Sequence, residues 1–120
     1  MTRLTLALAA CAAGLALASS AIGASSANRL VGSTGPDGAF KITLKQGTKK
    51  VTTLKPGKYT IVVKDTAKTH NFHLSGPGVN KTTPVKGKGT WTWHVTLKKG
   101  IYRYVCDPHK QIMKGSFKVT

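Results

Sequence analysis

Apolar and polar residues alternate with a period of two through most of the chain after residue 28. Such alternation is typical of half-buried β-strands, because successive side chains of a strand point to opposite faces. No segment after residue 28 has the spacing of an amphipathic helix, and no internal repeat is evident. The residues predicted to face the core are, strand by strand, Phe40, Ile42 and Leu44; Tyr59, Ile61 and Val63; His70, Phe72 and Leu74; Trp91, Trp93, Val95 and Leu97; Tyr102, Tyr104 and Cys106; and Phe117 and Val119.

Turns rich in glycine, proline and lysine separate these predicted strands. Lys55-Pro56-Gly57 and Lys99-Gly100 each mark a turn, and residues 75–89 form the longest irregular stretch. A further edge strand is predicted around Leu30–Val31. Short strands at close spacing, joined by such turns, are typical of an antiparallel β-sandwich or a small barrel. The sequence therefore predicts an all-β fold.

The N-terminal segment 1–27 has the composition of a secretory signal peptide. Arg3 precedes an apolar run rich in Leu and Ala, and small residues follow up to the expected cleavage point. Two other interpretations stay open. Residues 4–24 carry no charge and are long enough for an uncleaved anchor, and the LAAC sequence ending at Cys11 resembles a lipobox. We expect a signal peptide over 1–27 and one extracytoplasmic domain over 28–120, whether secreted, periplasmic or at the cell surface.

The predicted exported domain is strongly basic. The whole chain has 19 Lys and Arg against three acidic residues, and of the basic residues only Arg3 lies in the signal segment. The lysines are scattered singly or in pairs, without the clustering that marks a nucleic-acid interface. Such basicity favours partners with acidic surfaces or an anionic envelope surface. We expect no nucleic-acid partner and a monomeric protein.

The segment YVCDPHKQIMKGSF, residues 104–117, contains a cluster of soft metal ligands. The domain has a single cysteine and so no internal disulfide, and an odd cysteine in an exported protein needs an explanation. Cys106, His109 and Met113 follow one another in the spacing Cys-x2-His-x3-Met. A thiolate, an imidazole and a thioether together suit copper, whereas magnesium and calcium prefer oxygen and zinc takes thioether poorly. The spacing therefore predicts a copper-binding loop.

A second histidine from elsewhere in the chain is required to complete such a site. His70 shares the predicted apolar face of Phe72 and Leu74 and is the preferred candidate, with His73 on the opposite face held in reserve. His94 lies opposite the tryptophans and is expected at the surface. Two histidines, one cysteine and a weak axial methionine make up the type 1, or blue-copper, arrangement.

The stretch HNFHLSGPG followed by GIYRYVCDPHKQIMKGSFKV resembles the cupredoxins, in the plastocyanin, pseudoazurin and amicyanin group, over about residues 38–120. The resemblance implies a Greek-key β-sandwich that binds one type 1 copper ion through His70, Cys106, His109 and Met113. Three residues separate the last two of these ligands. Plastocyanin and pseudoazurin have a longer gap there and amicyanin a shorter one, so the spacing departs from each of these patterns.

The resemblance also implies a function, that of an electron carrier and not an enzyme. With four protein ligands in place no coordination position remains for a substrate. Asn71 would brace the ligand loop, and His109 would present its ring edge to solvent as the port for electrons. Around it, Pro108, Gly35–Pro36 and Gly76–Pro77 are expected to form an apolar docking surface for redox proteins.

Other functions remain open at this point. An extracytoplasmic copper storage or delivery protein would use the same ligands and is the main alternative. A thiol enzyme built on Cys106 and His109 is disfavoured, because the sequence shows no sign of an oxyanion hole or an exposed nucleophile. A β-sandwich of the adhesion type, without metal, is disfavoured by the ordered set of ligands.

Overall fold

A computed structural model describes residues 28–120, so the predicted signal peptide and its two alternatives lie outside the described residues. The described part contains ten β-strands in two five-stranded sheets. Within it, no helix has the length and hydrophobicity needed to cross a membrane. The strands are β1 Arg29–Thr34, β2 Ile42–Gln46, β3 Lys49–Lys50, β4 Thr53–Leu54, β5 Gly57–Asp65, β6 His73–Gly76, β7 Val79–Thr82, β8 Gly89–Leu97, β9 Gly100–Val105 and β10 Lys114–Val119.

The two sheets form the predicted β-sandwich, which is confirmed, although both sheets are mixed. One sheet has the order β3-β2-β1-β5-β8 and the other the order β4-β10-β9-β6-β7. β1 pairs with β5 in parallel, and β4 pairs with β10 in parallel, whereas the remaining pairs are antiparallel. The prediction of an edge strand around Leu30–Val31 was wrong, because β1 lies between β2 and β5. The pairing of β1 with β5 spans a connection that contains three other strands, so no turn signal in the sequence indicates it.

The predicted alternation of buried and exposed residues is found in most strands. Side chains from both sheets share one hydrophobic core, to which Trp91 and Trp93 contribute while only partly buried. His94, which lies between Trp93 and Val95 on β8, is exposed, as expected. The prediction that residues 75–89 are irregular was wrong in part, because β7 forms a hairpin with β6 inside this segment. The core residues are Leu30, Leu44, Val51, Leu54, Tyr59, Ile61, Val63, Phe72, Leu74, Val79, Val95, Leu97, Tyr102, Tyr104, Phe117 and Val119.

The loop Gly76–Pro77 lies at the end of the sandwich opposite to Cys106, so its predicted place in the docking surface was wrong. β6 runs antiparallel to β9, and His73 pairs with Val105 while Ser75 pairs with Arg103. The chain after β6 therefore reaches the start of β9. The fully buried Tyr102 holds that end together. Its hydroxyl donates to the Pro77 carbonyl (2.8 Å) and accepts from the Lys98 amide (2.9 Å).

We predict that Tyr102→Phe lowers the free energy of unfolding by about 1–2 kcal/mol, because a backbone amide and a carbonyl both lose their partner. Urea unfolding followed by tryptophan fluorescence measures the change. Tyr104→Phe is the matched control, since the Tyr104 hydroxyl makes no hydrogen bond to the described residues, and it should cost less. Equal losses in the two variants would contradict the role given to the Tyr102 hydroxyl.

Candidate metal centre

Three side chains converge at one end of the sandwich, where β9 ends. His70 Nδ1 lies 3.6 Å from Cys106 Sγ, His109 Nδ1 lies 3.5 Å from the same sulfur, and the two nitrogens are 3.1 Å apart. Cys106 is fully buried and His70 is almost so, whereas His109 is half-buried. Among residues 28–120 this is the one group of histidine, cysteine or acidic side chains arranged to hold a metal ion.

The dimensions of this triangle fit a trigonal metal site. Imidazole nitrogens and thiolates bind a late first-row metal at about 2.0–2.3 Å, so three such ligands in one plane lie about 3.5–3.8 Å apart. The observed separations are close to these values and slightly shorter. Two nitrogens and one thiolate are a donor set suited to copper. The structure thus brings together three of the four predicted ligands.

The loop that contains Cys106 and His109 is closed by its own backbone. The Cys106 amide donates to the Met113 carbonyl (3.0 Å), the His109 amide to the Cys106 carbonyl (3.0 Å), and the Met113 amide to the His109 carbonyl (2.8 Å). Asp107–His109 form a short 3₁₀ turn with Pro108 near its start, where a missing amide proton costs nothing. Met113 is 1% exposed, so the predicted axial ligand lies buried at the far end of this closed loop.

Asn71 ties the segment that contains His70 to the ligand loop. Its Oδ1 accepts from the Asp107 amide (2.7 Å), and its Nδ2 donates to the Asp107 carboxylate (2.7 Å) and to the Thr82 hydroxyl (3.1 Å). The next residue, Phe72, exchanges hydrogen bonds with buried Thr83 through both its amide and its carbonyl. The bracing role expected of Asn71 is therefore present in the structure, and it involves a side chain as well as the backbone of the loop.

His73, the reserve ligand, is not one of the three converging side chains and contacts the carboxylate of Asp107. Its Nδ1 lies 3.0 and 3.2 Å from the two carboxylate oxygens, and its Nε2 lies 2.6 Å from Asn80 Oδ1. Burial alone would lower the pKa of His73, but the hydrogen bonds with Asp107 and Asn80 outweigh it and raise this pKa above its ordinary value. Burial would raise the pKa of Asp107, yet its bonds with Asn71 and His73 lower it. The pair therefore favours its charged forms.

Phe40 covers the two histidines, although the sequence pattern placed it in the core beside Ile42 and Leu44. β2 begins only at Ile42, and Phe40 is 60% exposed. Its ring meets the edges of His70 and His109, with centroids 5.3 and 4.9 Å away. The glycine-rich turn just before Phe40 was the available signal, because the turn delays the start of the strand.

Gly35 also contacts the His70 ring. It adopts φ +66°, a conformation that favours glycine, and a methyl group added there would lie 2.6 Å from His70 Cδ2 and 2.8 Å from Ala67 Cβ. Its amide donates to the Lys41 carbonyl (2.9 Å), which closes the turn that also contains Phe40. The His70 ring thus contacts both Gly35 and Phe40, and its position depends on both.

One buried carboxyl group lies near this end of the core. Asp65 is 1% exposed, and its Oδ1 accepts from the Ala67 amide (3.1 Å). Its Oδ2 and the neighbouring Thr34 hydroxyl have no hydrogen-bond partner among the described residues. Burial raises the pKa of Asp65, and the Ala67 bond, the proximity of His70 and the nearby Thr83 side chain oppose this only in part.

We predict that Gly35→Ala weakens metal binding, because the added methyl group displaces the His70 ring. A competition titration with a Cu(I) chelator measures the affinity. Gly47→Ala is the matched control, since Gly47 has a similar φ of +61° with nothing within 4 Å of an added methyl group. Both variants strain the backbone, so only the contact with His70 distinguishes them. Equal affinities in the two variants would contradict this account.

Comparisons with known proteins agree with the site and the fold. The family model for copper-binding proteins of the plastocyanin/azurin family matches residues 38–120. Rusticyanin from Thiobacillus ferrooxidans is 22% identical, with a TM-score of 0.51, over 77% of this chain and 76% of that chain. A chain of a haem–copper terminal oxidase dimer is 17% identical, with a TM-score of 0.52, over 77% of this chain and 63% of that one.

A Cu(I) form of an amicyanin mutant is 20% identical over 78% of this chain and 83% of that chain, with a TM-score of 0.48. A search among curated proteins finds no significant match. Rusticyanin and the oxidase chain share the fold of the described residues. The family model spans most of the chain, including the segments with His70, Cys106 and His109. The chain therefore belongs to the plastocyanin/azurin family of copper-binding proteins.

Proposed function

We propose that the protein is an exported type 1 copper protein that carries single electrons between redox partners. The observation that supports this most directly is the convergence of His70 Nδ1, His109 Nδ1 and Cys106 Sγ within 3.6 Å of one another. When bound, copper supplies one-electron redox chemistry at this site. Residues 1–27 would direct export, and the domain 28–120 would work outside the cytoplasm as a monomer.

The chain's own contribution is to hold the ligands in place and to keep substrates away. His70, Cys106 and Met113 are buried, and His109 completes a proposed set of four ligands. A filled set leaves no position for a substrate, which is the basis for proposing a carrier and not an enzyme. The backbone hydrogen bonds that close the ligand loop limit how far the ligands can rearrange. A small rearrangement of the ligands favours rapid electron transfer.

The surface around His109 is suited to docking a redox protein. Phe40 and Ile112 are 60% and 66% exposed and flank the half-buried His109. Three exposed lysines adjoin residues of this end in the sequence: Lys41 follows Phe40, Lys68 follows Ala67 and Lys110 follows His109. A partner with an apolar centre and acidic residues at its rim would match this surface. An anionic envelope surface would attract the same lysines, and we propose no role for nucleic acid.

We predict that residues 28–120 loaded with Cu(II) are intensely blue, through charge transfer from the Cys106 thiolate. Cys106→Ser should abolish the colour, His70→Ala should remove or strongly alter it, and His73→Ala should keep it. Visible absorption with cyclic voltammetry measures both the site and its reversibility. A colourless protein that binds no copper would refute the proposal, and copper that passes readily to an acceptor without reversible cycling would favour storage or delivery.

We predict that Ile112→Ser slows electron exchange with an acidic redox partner at low salt, whereas Ile101→Ser does not. Ile101 is the matched control, because it is 57% exposed on β9, close to the opposite end of the sandwich. Stopped-flow mixing at increasing ionic strength measures the rate, which should fall as salt screens the lysines. Rates that are independent of salt and equal in the two variants would contradict docking at this end.

A further inference from the structure

His73 makes contacts that the proposed copper site does not require. It lies at the start of β6, three residues after His70, and both of its ring nitrogens face oxygen atoms. Nδ1 faces the carboxylate of Asp107 in the ligand loop, and Nε2 faces the Asn80 amide oxygen on β7. A ring between two acceptors uses both nitrogens as donors only when it is protonated.

We propose that His73 is a positioning residue, which holds the ligand loop against β6 and β7 through the carboxylate of Asp107. Asp107 directly follows Cys106 and lies two residues before His109, so its orientation affects both. Asn71 bonds to the same carboxylate from the His70 side. His73 therefore attaches the loop a second time, from the start of β6. Asn71 alone would hold the loop only from the segment that contains His70. This inference rests on the proposed copper function only for its redox consequences.

The charges around His73 make this attachment dependent on pH. Asp107 is the anion that favours the protonated ring, Asn80 supports it as a neutral acceptor, and Lys110 opposes it from the ligand loop. Because the pKa of His73 is raised in the folded protein, the attachment is complete at a pH below the ordinary histidine value. It weakens as the pH rises through the raised value. The loop should then open more readily.

Amide hydrogen exchange tests the attachment without any electron transfer. In the intact, copper-free protein, His73→Ala should lower the protection factors of the Cys106 and Met113 amides at least about threefold at pH 6. His94→Ala is the matched control. His94 is an exposed histidine that also forms a hydrogen bond through Nδ1, to Thr60, and both residues lie in the sheet that does not contain His73. If the protection factors of these two amides are unchanged in His73→Ala, the inference is overturned, whether or not the protein binds copper.

A conservative variant separates attachment from general destabilisation. His73→Gln can still donate one neutral hydrogen bond to Asp107, so it should restore part of the protection but lose its dependence on pH. In the wild type, protection should fall between pH 6 and pH 9, as the imidazolium loses its proton. Protection factors correct for the intrinsic effect of pH on exchange. An equal fall with pH in wild type and His73→Gln would count against the role of His73.

The copper-loaded protein gives a second readout. A protonated His73 offsets the Asp107 charge near the site, and an unopposed carboxylate would favour oxidised copper. The reduction potential should therefore be lower in His73→Ala than in the wild type at pH 6, and this difference should vanish when Asp107 is replaced by Ala in both. A difference that persists without Asp107 would contradict the route through its carboxylate. Failure to bind copper would refute the proposed function and leave the exchange result standing.

Discussion

The metal centre depends on the two hydrogen bonds that join Asn71 to Asp107. They connect segments 36 positions apart in the chain, one containing His70 and the other Cys106 and His109. Without them, the sheet would still deliver the end of β9 to this region, but the loop beyond Cys106 would be held only by its own backbone bonds and by the contact between His73 and Asp107. Since neither segment is a regular strand at this point, side-chain hydrogen bonds take over the role that strand pairing has elsewhere in the sandwich.

The acidic residues are placed where they oppose the chain's own positive charge. The full sequence has 19 basic residues and three acidic ones. Asp65 and Asp107 lie at the end with His70, and Asp37 belongs to the turn between Gly35 and Lys41. A centre that takes up a copper cation would otherwise add charge to an already basic surface. Concentrating the carboxylates at this end lowers that repulsion, while the exposed lysines near His109 remain available to the proposed acidic partners.

Part of the site could be predicted from the alternation of apolar and polar residues, although His70, Asn71 and Phe72 precede β6 and are all buried. His70 was preferred over His73 for sharing a face with Phe72 and Leu74, and the structure has His70 against Cys106. Such alternation does not show where a strand begins, which is why the sequence pattern wrongly predicts Phe40 in the core. It also gives no information on which ends of strands meet, so Gly76–Pro77 was assigned to the wrong end. The parallel pairing of β1 with β5 is equally a long-range property.

The ligand loop supplies both the inner and the outer surface of the site, and its length couples the two. Met113 is 1% exposed and the adjacent Ile112 is 66% exposed. Both of their amides donate to the His109 carbonyl, at 2.8 and 3.0 Å. With three residues between His109 and Met113, this turn buries the side chain of Met113, the proposed axial ligand, and leaves that of the preceding Ile112 exposed. A longer or shorter loop would change the proposed axial ligand and the proposed docking surface together. Relatives with another spacing therefore give no direct guide to the surface that this chain presents.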